Sequence, residues 1–154
     1  MIDDQDSETL VQEWMSPAVI TVSCDQTVRD ALAKLGEHQV SALPVLDGQG
    51  HFVGLVTIAD FLRALMATGQ ALDADYPHYD DCLWAVELIQ RKLGTDTIRS
   101  VMTEVIETVT PEDSMCKAAR TMFRLGLHHL PVVWNDGKLA GILSSMDFVR
   151  LLAS

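Results

Sequence analysis

The chain repeats itself. Met15-Ser16 through Ala67 lies over Met102-Thr103 through Ser154 at one fixed offset, without a gap. Thr21-Val22 falls over Thr108-Val109, Ala31 over Ala118, Leu43-Pro44-Val45 over Leu130-Pro131-Val132 and Asp60-Phe61 over Asp147-Phe148. Gly50 and Gly54 fall over Gly137 and Gly141, and Leu55-Val56-Thr57 lies over the similar Ile142-Leu143-Ser144. A repeat of this kind fixes the architecture, because each copy must form the same supersecondary unit. A unit so short buries too little surface to be secure alone, so two copies are expected to pack into one pseudo-symmetric body over residues 1–154.

Each copy reads as strand, helix, strand, strand, helix. In the first, over residues 8–67, Val19 to Ser23 is a β-rich run, and Thr27 with Asp30 forms a capping-box start for a helix. Val28, Ala31, Leu32 and Leu35 give that helix its apolar face. Ala42 to Leu46 and Phe52 to Val56 read as strands around an Asp47-Gly48-Gln49-Gly50 turn, with a helix from Ile58 to Ala67. The second copy, over residues 98–154, offers a strand at Val105 to Val109 and a helix capped by Ser114 with Met115, Ala118, Ala119 and Met122 inward. Strands at Leu130 to Trp134 and Leu139 to Leu143 follow, then a helix from Ser145 to Leu152. Outside the repeat, residues 7–14 read as a lead-in helix. Residues 68–97 read as an acidic loop followed by a linking helix over Asp80 to Leu93.

Composition narrows the function classes. With 48% hydrophobic residues the chain is globular, and no apolar run approaches the length of about 20 residues needed to span a membrane. A net charge of −11 repels the phosphate backbone, so nucleic acid is not expected as a partner. The acidic start Met-Ile-Asp-Asp lacks the features of a signal peptide. Cys24, Cys82 and Cys116 are widely spaced, which fits reduced thiols in a cytoplasmic protein rather than a disulfide framework or a zinc site.

The segments Ser41-Ala42-Leu43-Pro44-Val45 and Gly54-Leu55-Val56-Thr57-Ile58-Ala59-Asp60, with their second copies, resemble those of CBS-domain pairs, or Bateman modules. The family pattern has a Met-[Ser/Thr] start, a small-x-Leu-Pro-Val strand and a Gly-apolar-apolar-[Ser/Thr]-x-x-Asp ending. Both copies carry all three parts, and the resemblance extends over residues 8–154. It implies an α+β fold of two pseudo-symmetric β-α-β-β-α repeats packed through their sheets, with the helices outside. It also implies a regulatory module that binds an adenosine-containing ligand in clefts between the repeats and forms a homodimer. Such pairs are commonly attached to an enzyme, channel or transporter; this chain resembles a stand-alone module whose effector is a separate, unknown protein.

Thr57 with Asp60, and Ser144 with Asp147, first of all read as helix N-termini, with a hydroxyl on a backbone N–H and a carboxylate in the first turn. Such an end can also hold a phosphate. The resemblance adds that the aspartates accept from ribose hydroxyls. It further implies a base pocket of Ser16, Ile20, Val40 and Ser41, closed by Ile142, for the Ser144/Asp147 end. The Thr57/Asp60 end would instead meet Thr103, Glu107, Leu127 and His128. There Glu107 replaces Ile20, and an unpaired carboxylate beside a bound phosphate is unfavourable, so the first cleft is expected to bind. His128, when protonated, complements a phosphate.

Arg120, Arg124 and Lys138 are further phosphate candidates, whereas Arg63 and Arg150 are more simply i,i+3 partners of the aspartates. Candidate ligands are AMP, ADP, ATP or S-adenosylmethionine, and the scarcity of cations favours those of low negative charge. No cofactor or metal is implied, and no nucleophile–base pair suggests an enzyme. The alternative is a purely structural dimerisation module with empty clefts. The dimer surface expected from the helices comprises Leu32, Leu35, Phe61, Leu62, Leu65 and Met66 in repeat 1, and Met122, Phe123, Phe148, Leu151 and Leu152 in repeat 2.

Overall fold

The computed structural model describes residues 9–17, 19–68, 83–104 and 107–154. Its elements run α1 (Val11–Trp14), β1 (Val22–Ser23), α2 (Val28–His38), β2 (Ala42–Leu46), β3 (Phe52–Thr57), α3 (Ile58–Ala67) and α4 (Leu83–Leu93). They continue with α5 (Ile98–Val101), α6 (Met115–Leu125), β4 (His129–Val133), β5 (Leu139–Ser144) and α7 (Ser145–Ala153). The mixed helix-and-strand fold, with a sheet and helices in each repeat, matches the expectation. Two strands are shorter than expected. The run from Val19 pairs only at Val22 and Ser23, in parallel with Val45 and Leu46. Val109 makes one parallel bridge to Val132, and Val105 and Ile106 lie outside the described residues.

Local chemistry accounts for the boundaries. Thr27 caps α2 by accepting from Asp30 N while the Asp30 carboxylate accepts from Thr27 N at 3.0 Å. Hydrogen bonds from the Thr27 N–H and then from the Thr27 hydroxyl hold the Asp30 carboxyl below its ordinary pKa. Ser114 accepts from Lys117 N at the start of α6. That helix ends at Gly126 with φ 65°, the left-handed cap glycine adopts without strain, whereas α2 ends at Gln39 with φ 52°.

The chain forms two compact units, and each repeat is completed by the segment that precedes the other. The first unit comprises Met1–Val19, Gly50–Phe52 and Val105–Ser154. In its described part, α1 lies with the β4–β5 hairpin: Ser16 N donates to Ile142 O and Ile142 N to Ser16 O, at 3.0 and 3.1 Å. Its core is Val11, Val109, Met115, Ala118, Met122, Leu130, Val132 and Leu143.

The second unit comprises Ile20–Gln49 and Val53–Glu104, around the sheet β1-β2-β3. Here α5 is the counterpart of α1, and Thr103 pairs with Leu55 through two backbone bonds of 2.9 Å. The insert helix belongs to this core. Leu88, Ile89 and Leu93 of α4 are buried with Leu32 and Leu35 of α2 and Phe61 and Leu65 of α3. The acidic segment before α4, residues 69–82, lies outside the described residues, as does Cys82.

That packing corrects the expected association surface. Leu32, Leu35, Phe61 and Leu65 are buried within their own unit because α4 lies over α2 and α3, leaving Leu62 and Met66 exposed. Repeat 2 has no such cover among the described residues. Between α6 and α7 an open groove of about 600 Å³ is lined by Met115, Met122, Phe123, Leu127, Phe148 and Leu152 with their neighbours. Phe123 is 92% exposed and Leu152 77%.

Candidate functional site

Where β3 meets α3, Thr57 has extended backbone and caps the helix. Asp60 Oδ2 accepts from Thr57 N at 2.8 Å and from Thr57 Oγ1 at 3.1 Å. Its other oxygen, Oδ1, accepts from the Arg63 guanidinium and, at 2.6 Å, from the Thr103 hydroxyl. Thr103 comes this close because Gly54 has no side chain: a Cβ there would sit 2.7 Å from Thr103 O. A carboxylate offers about four acceptor directions, and these donors fill them. The Asp60 side chain is accordingly only 4% exposed.

The end of β5 repeats the design with one donor fewer. Asp147 Oδ2 accepts from Ser144 N at 2.8 Å and from Ser144 Oγ at 3.3 Å, while Oδ1 accepts from Arg150 Nη1 at 3.1 Å. Arg150 also lies 5.8 Å from the centroid of the Trp14 ring, a cation–π contact that holds it in place. Ser16, the counterpart of Thr103, is bridged to Ile142 just as Thr103 is to Leu55, and Gly141 is the small residue that permits it. Among the described residues, however, the Ser16 hydroxyl does not bond Asp147. Three donors therefore meet Asp147 against four at Asp60, which leaves one acceptor direction unfilled in a side chain that is itself 7% exposed.

The surroundings of this end are polar. Ser145 N donates to His128 O at 3.0 Å, and His129 pairs in register with Ser144. Burial pushes the His129 pKa down, the neighbouring His128 adds to the effect, and Asp147 opposes it.

The candidate residues divide between the two units. Ser16, His128, Ile142, Ser144 and Asp147 belong to the unit built on β4 and β5. The Ser16–Ile142 bridge, the Ser144–Asp147 cap and the Ser145–His128 bond bring them to one end of that hairpin. Ile20, Val40, Ser41, Thr57 and Asp60 belong to the other unit. There Ile20 packs against the core, Val40 and Ser41 follow the end of α2 at the surface, and Thr57 with Asp60 forms the cap described above.

Arg63 and Arg150 are the helix pairs their spacing suggests. Glu107 pairs with Arg124 at 2.7 Å, so its charge is compensated and the electrostatic objection to a phosphate near it weakens. The Thr103 hydroxyl meets Asp60 at the end where the resemblance set Thr103. One contributor escaped the sequence reading, Trp14 as a support for Arg150. It carried no signal, because Trp14 falls over Val101 and the repeat shows no second aromatic there. Among the described residues no acidic, histidine or cysteine group forms a metal cluster, and no helix is long and apolar enough to cross a membrane.

Two sheet-to-helix turns, each presenting a hydroxyl and a carboxylate at a helix N-terminus, stand at corresponding places in the two repeats. The CBS domain profile matches residues 11–67 and again 98–154, and the chain belongs to the CBS-domain family. Among solved structures, the chain resembles the CBS domain pair of protein MJ0100 in complex with 5′-methylthioadenosine and S-adenosyl-L-methionine. They share 26% identity at a TM-score of 0.71, over 94% of this chain and 96% of that one. It also resembles CBSX2 in complex with AMP, with 31% identity and a TM-score of 0.70 over 94% and 96% of the two chains. A sequence relative is the L-aspartate semialdehyde sulfurtransferase of Methanosarcina acetivorans, 28% identical over 144 residues. Those residues make up 94% of this chain and 24% of the sulfurtransferase, so the chain spans about a quarter of that protein's length.

Proposed function

We propose that the chain is a regulatory module that binds an adenosine-containing ligand at the Ser144–Asp147 end and passes the bound state to a separate protein. The observation that carries this is the open acceptor direction on Asp147, beside a helix N-terminus. A ribose hydroxyl donates to that direction, the N–H groups of α7 favour a nearby negative charge, and Ser16 and Ile142 flank the position. AMP and S-adenosylmethionine, the ligand types held by the structural relatives, are both modest in charge. That suits a chain of net charge −11 in which Arg63, Arg124 and Arg150 are already paired.

The reading is of a binding module and not a catalyst. A ligand regulates only by binding two conformations with different affinity. A thermal-shift panel of AMP, ADP, ATP and S-adenosylmethionine is the direct test. At 100 times its dissociation constant a ligand stabilises the fold by about 2.7 kcal/mol. No shift with any of the four would favour a structural module with empty sites.

The open α6–α7 groove supports a homodimer as well. Its exposed Phe123 and Leu152 form the kind of apolar patch that marks an association surface. Sedimentation at micromolar concentration should give a dimer, and Phe123→Glu with Leu152→Glu should give a monomer. A monomeric parent chain would remove this part of the proposal.

A further inference from the structure

We infer that Thr103 is an internal plug: its hydroxyl occupies on Asp60 the place a ribose hydroxyl would take, and so keeps the repeat-1 end closed to ligand. The inference rests on the adenosine-ligand reading, and it assigns that reading a residue that sets how many ligands a chain takes.

Three features of the second unit hold the plug in position. The backbone of Thr103 is fixed to Leu55 by two bonds of 2.9 Å, in an approach that Gly54 makes possible. A threonine is β-branched and keeps few side-chain rotamers, so a fixed backbone narrows where the hydroxyl can go. That hydroxyl donates to Asp60 Oδ1 at 2.6 Å, and the Arg63 guanidinium takes the remaining direction of the same oxygen. A ribose diol arriving here finds no acceptor unless it displaces a donor tethered in place.

The other repeat supplies the contrast within the same molecule. Ser16 has the same backbone bridge, to Ile142, and the same small partner, Gly141. It lacks the methyl group that restricts threonine, and its hydroxyl makes no bond to Asp147 among the described residues. One methyl group therefore separates a closed end from an open one.

Calorimetric titration with AMP, and separately with S-adenosylmethionine, tests this on the full chain. The parent should bind one ligand per chain, and Thr103→Ala should bind two. Thr103→Ser, which copies the residue of repeat 2, should gain the same second site with weaker affinity. Adding Asp60→Ala to Thr103→Ala should return the count to that of the parent. A parent that already binds two ligands overturns the plug, as does a count that neither Thr103 variant raises. If the parent binds none and Thr103→Ala binds one, the plug stands and the Ser144–Asp147 reading fails.

Discussion

Asp147→Ala should weaken AMP or S-adenosylmethionine binding at least tenfold, while Asp60→Ala should change it by less than about twofold. The carboxylate of Asp147 has an acceptor direction to offer, and hydrogen bonds to charged groups are worth about 1.5–3 kcal/mol each. Asp60 has none to offer, because Thr57, Arg63 and Thr103 together fill it. Stability should follow the opposite order. Both changes remove a capping carboxylate, but Asp60→Ala also removes the acceptor of the Thr103 hydroxyl. Expected losses are about 0.3–1 kcal/mol for Asp147→Ala and about 0.5–1.5 kcal/mol more for Asp60→Ala, which also gives up the Thr103 bond. Calorimetric titration beside chemical denaturation separates the two effects. Equal affinity losses, or a larger one for Asp60→Ala, would sink the assignment of the open end.

Phe61→Ala should cost about 3–5 kcal/mol of stability, as expected for a phenylalanine removed from a closed core. Phe61 is fully buried, with α4 lying over the helices around it. Its counterpart Phe148 only half enters its core and lines the open groove. Phe148→Ala should therefore cost clearly less in dilute solution, about 1–2 kcal/mol, because less apolar area returns to water. Denaturant titrations at two protein concentrations make the comparison. Were the dimer to form through the groove, the cost of Phe148→Ala would grow with concentration while that of Phe61→Ala stayed fixed. Similar costs for the two at every concentration would contradict the role given to α4.

Most of the architecture was legible because repetition and local chemistry agree. The Thr27–Asp30, Thr57–Asp60 and Ser144–Asp147 caps are short-range signals, and each helix starts where its cap says. Strand pairing was harder to read. The run from Val19 is β-rich, yet only Val22 and Ser23 find a partner, since pairing depends on a distant neighbour and not on propensity alone. The exchange of lead-in segments came from the family resemblance, which set Ser16 beside Ile142 and Thr103 at the Thr57/Asp60 end; the order of residues alone does not say that Ser16 will bridge Ile142, or Thr103 Leu55. The candidate site followed the same division. Both hydroxyl–carboxylate pairs were readable from their spacing, whereas the Thr103 bond to Asp60 joins residues far apart in the chain. The burial of Leu32, Leu35, Phe61 and Leu65 under α4 was also a matter of tertiary packing, which an amphipathic pattern leaves open.

The insert helix has a consequence for how large an assembly can grow. With α4 seated on α2 and α3, the groove between α6 and α7 stays uncovered among the described residues while its counterpart in repeat 1 is filled. In the proposed homodimer this groove pairs with its own copy across a two-fold axis, and the contact then closes on itself. Had both repeats left their grooves uncovered, each chain would carry two sticky faces, and head-to-tail contacts could run on into filaments. By filling one of them, the residues around Leu88, Ile89 and Leu93 would limit the proposed assembly to the dimer, from a stretch of chain that the repeat itself does not contain.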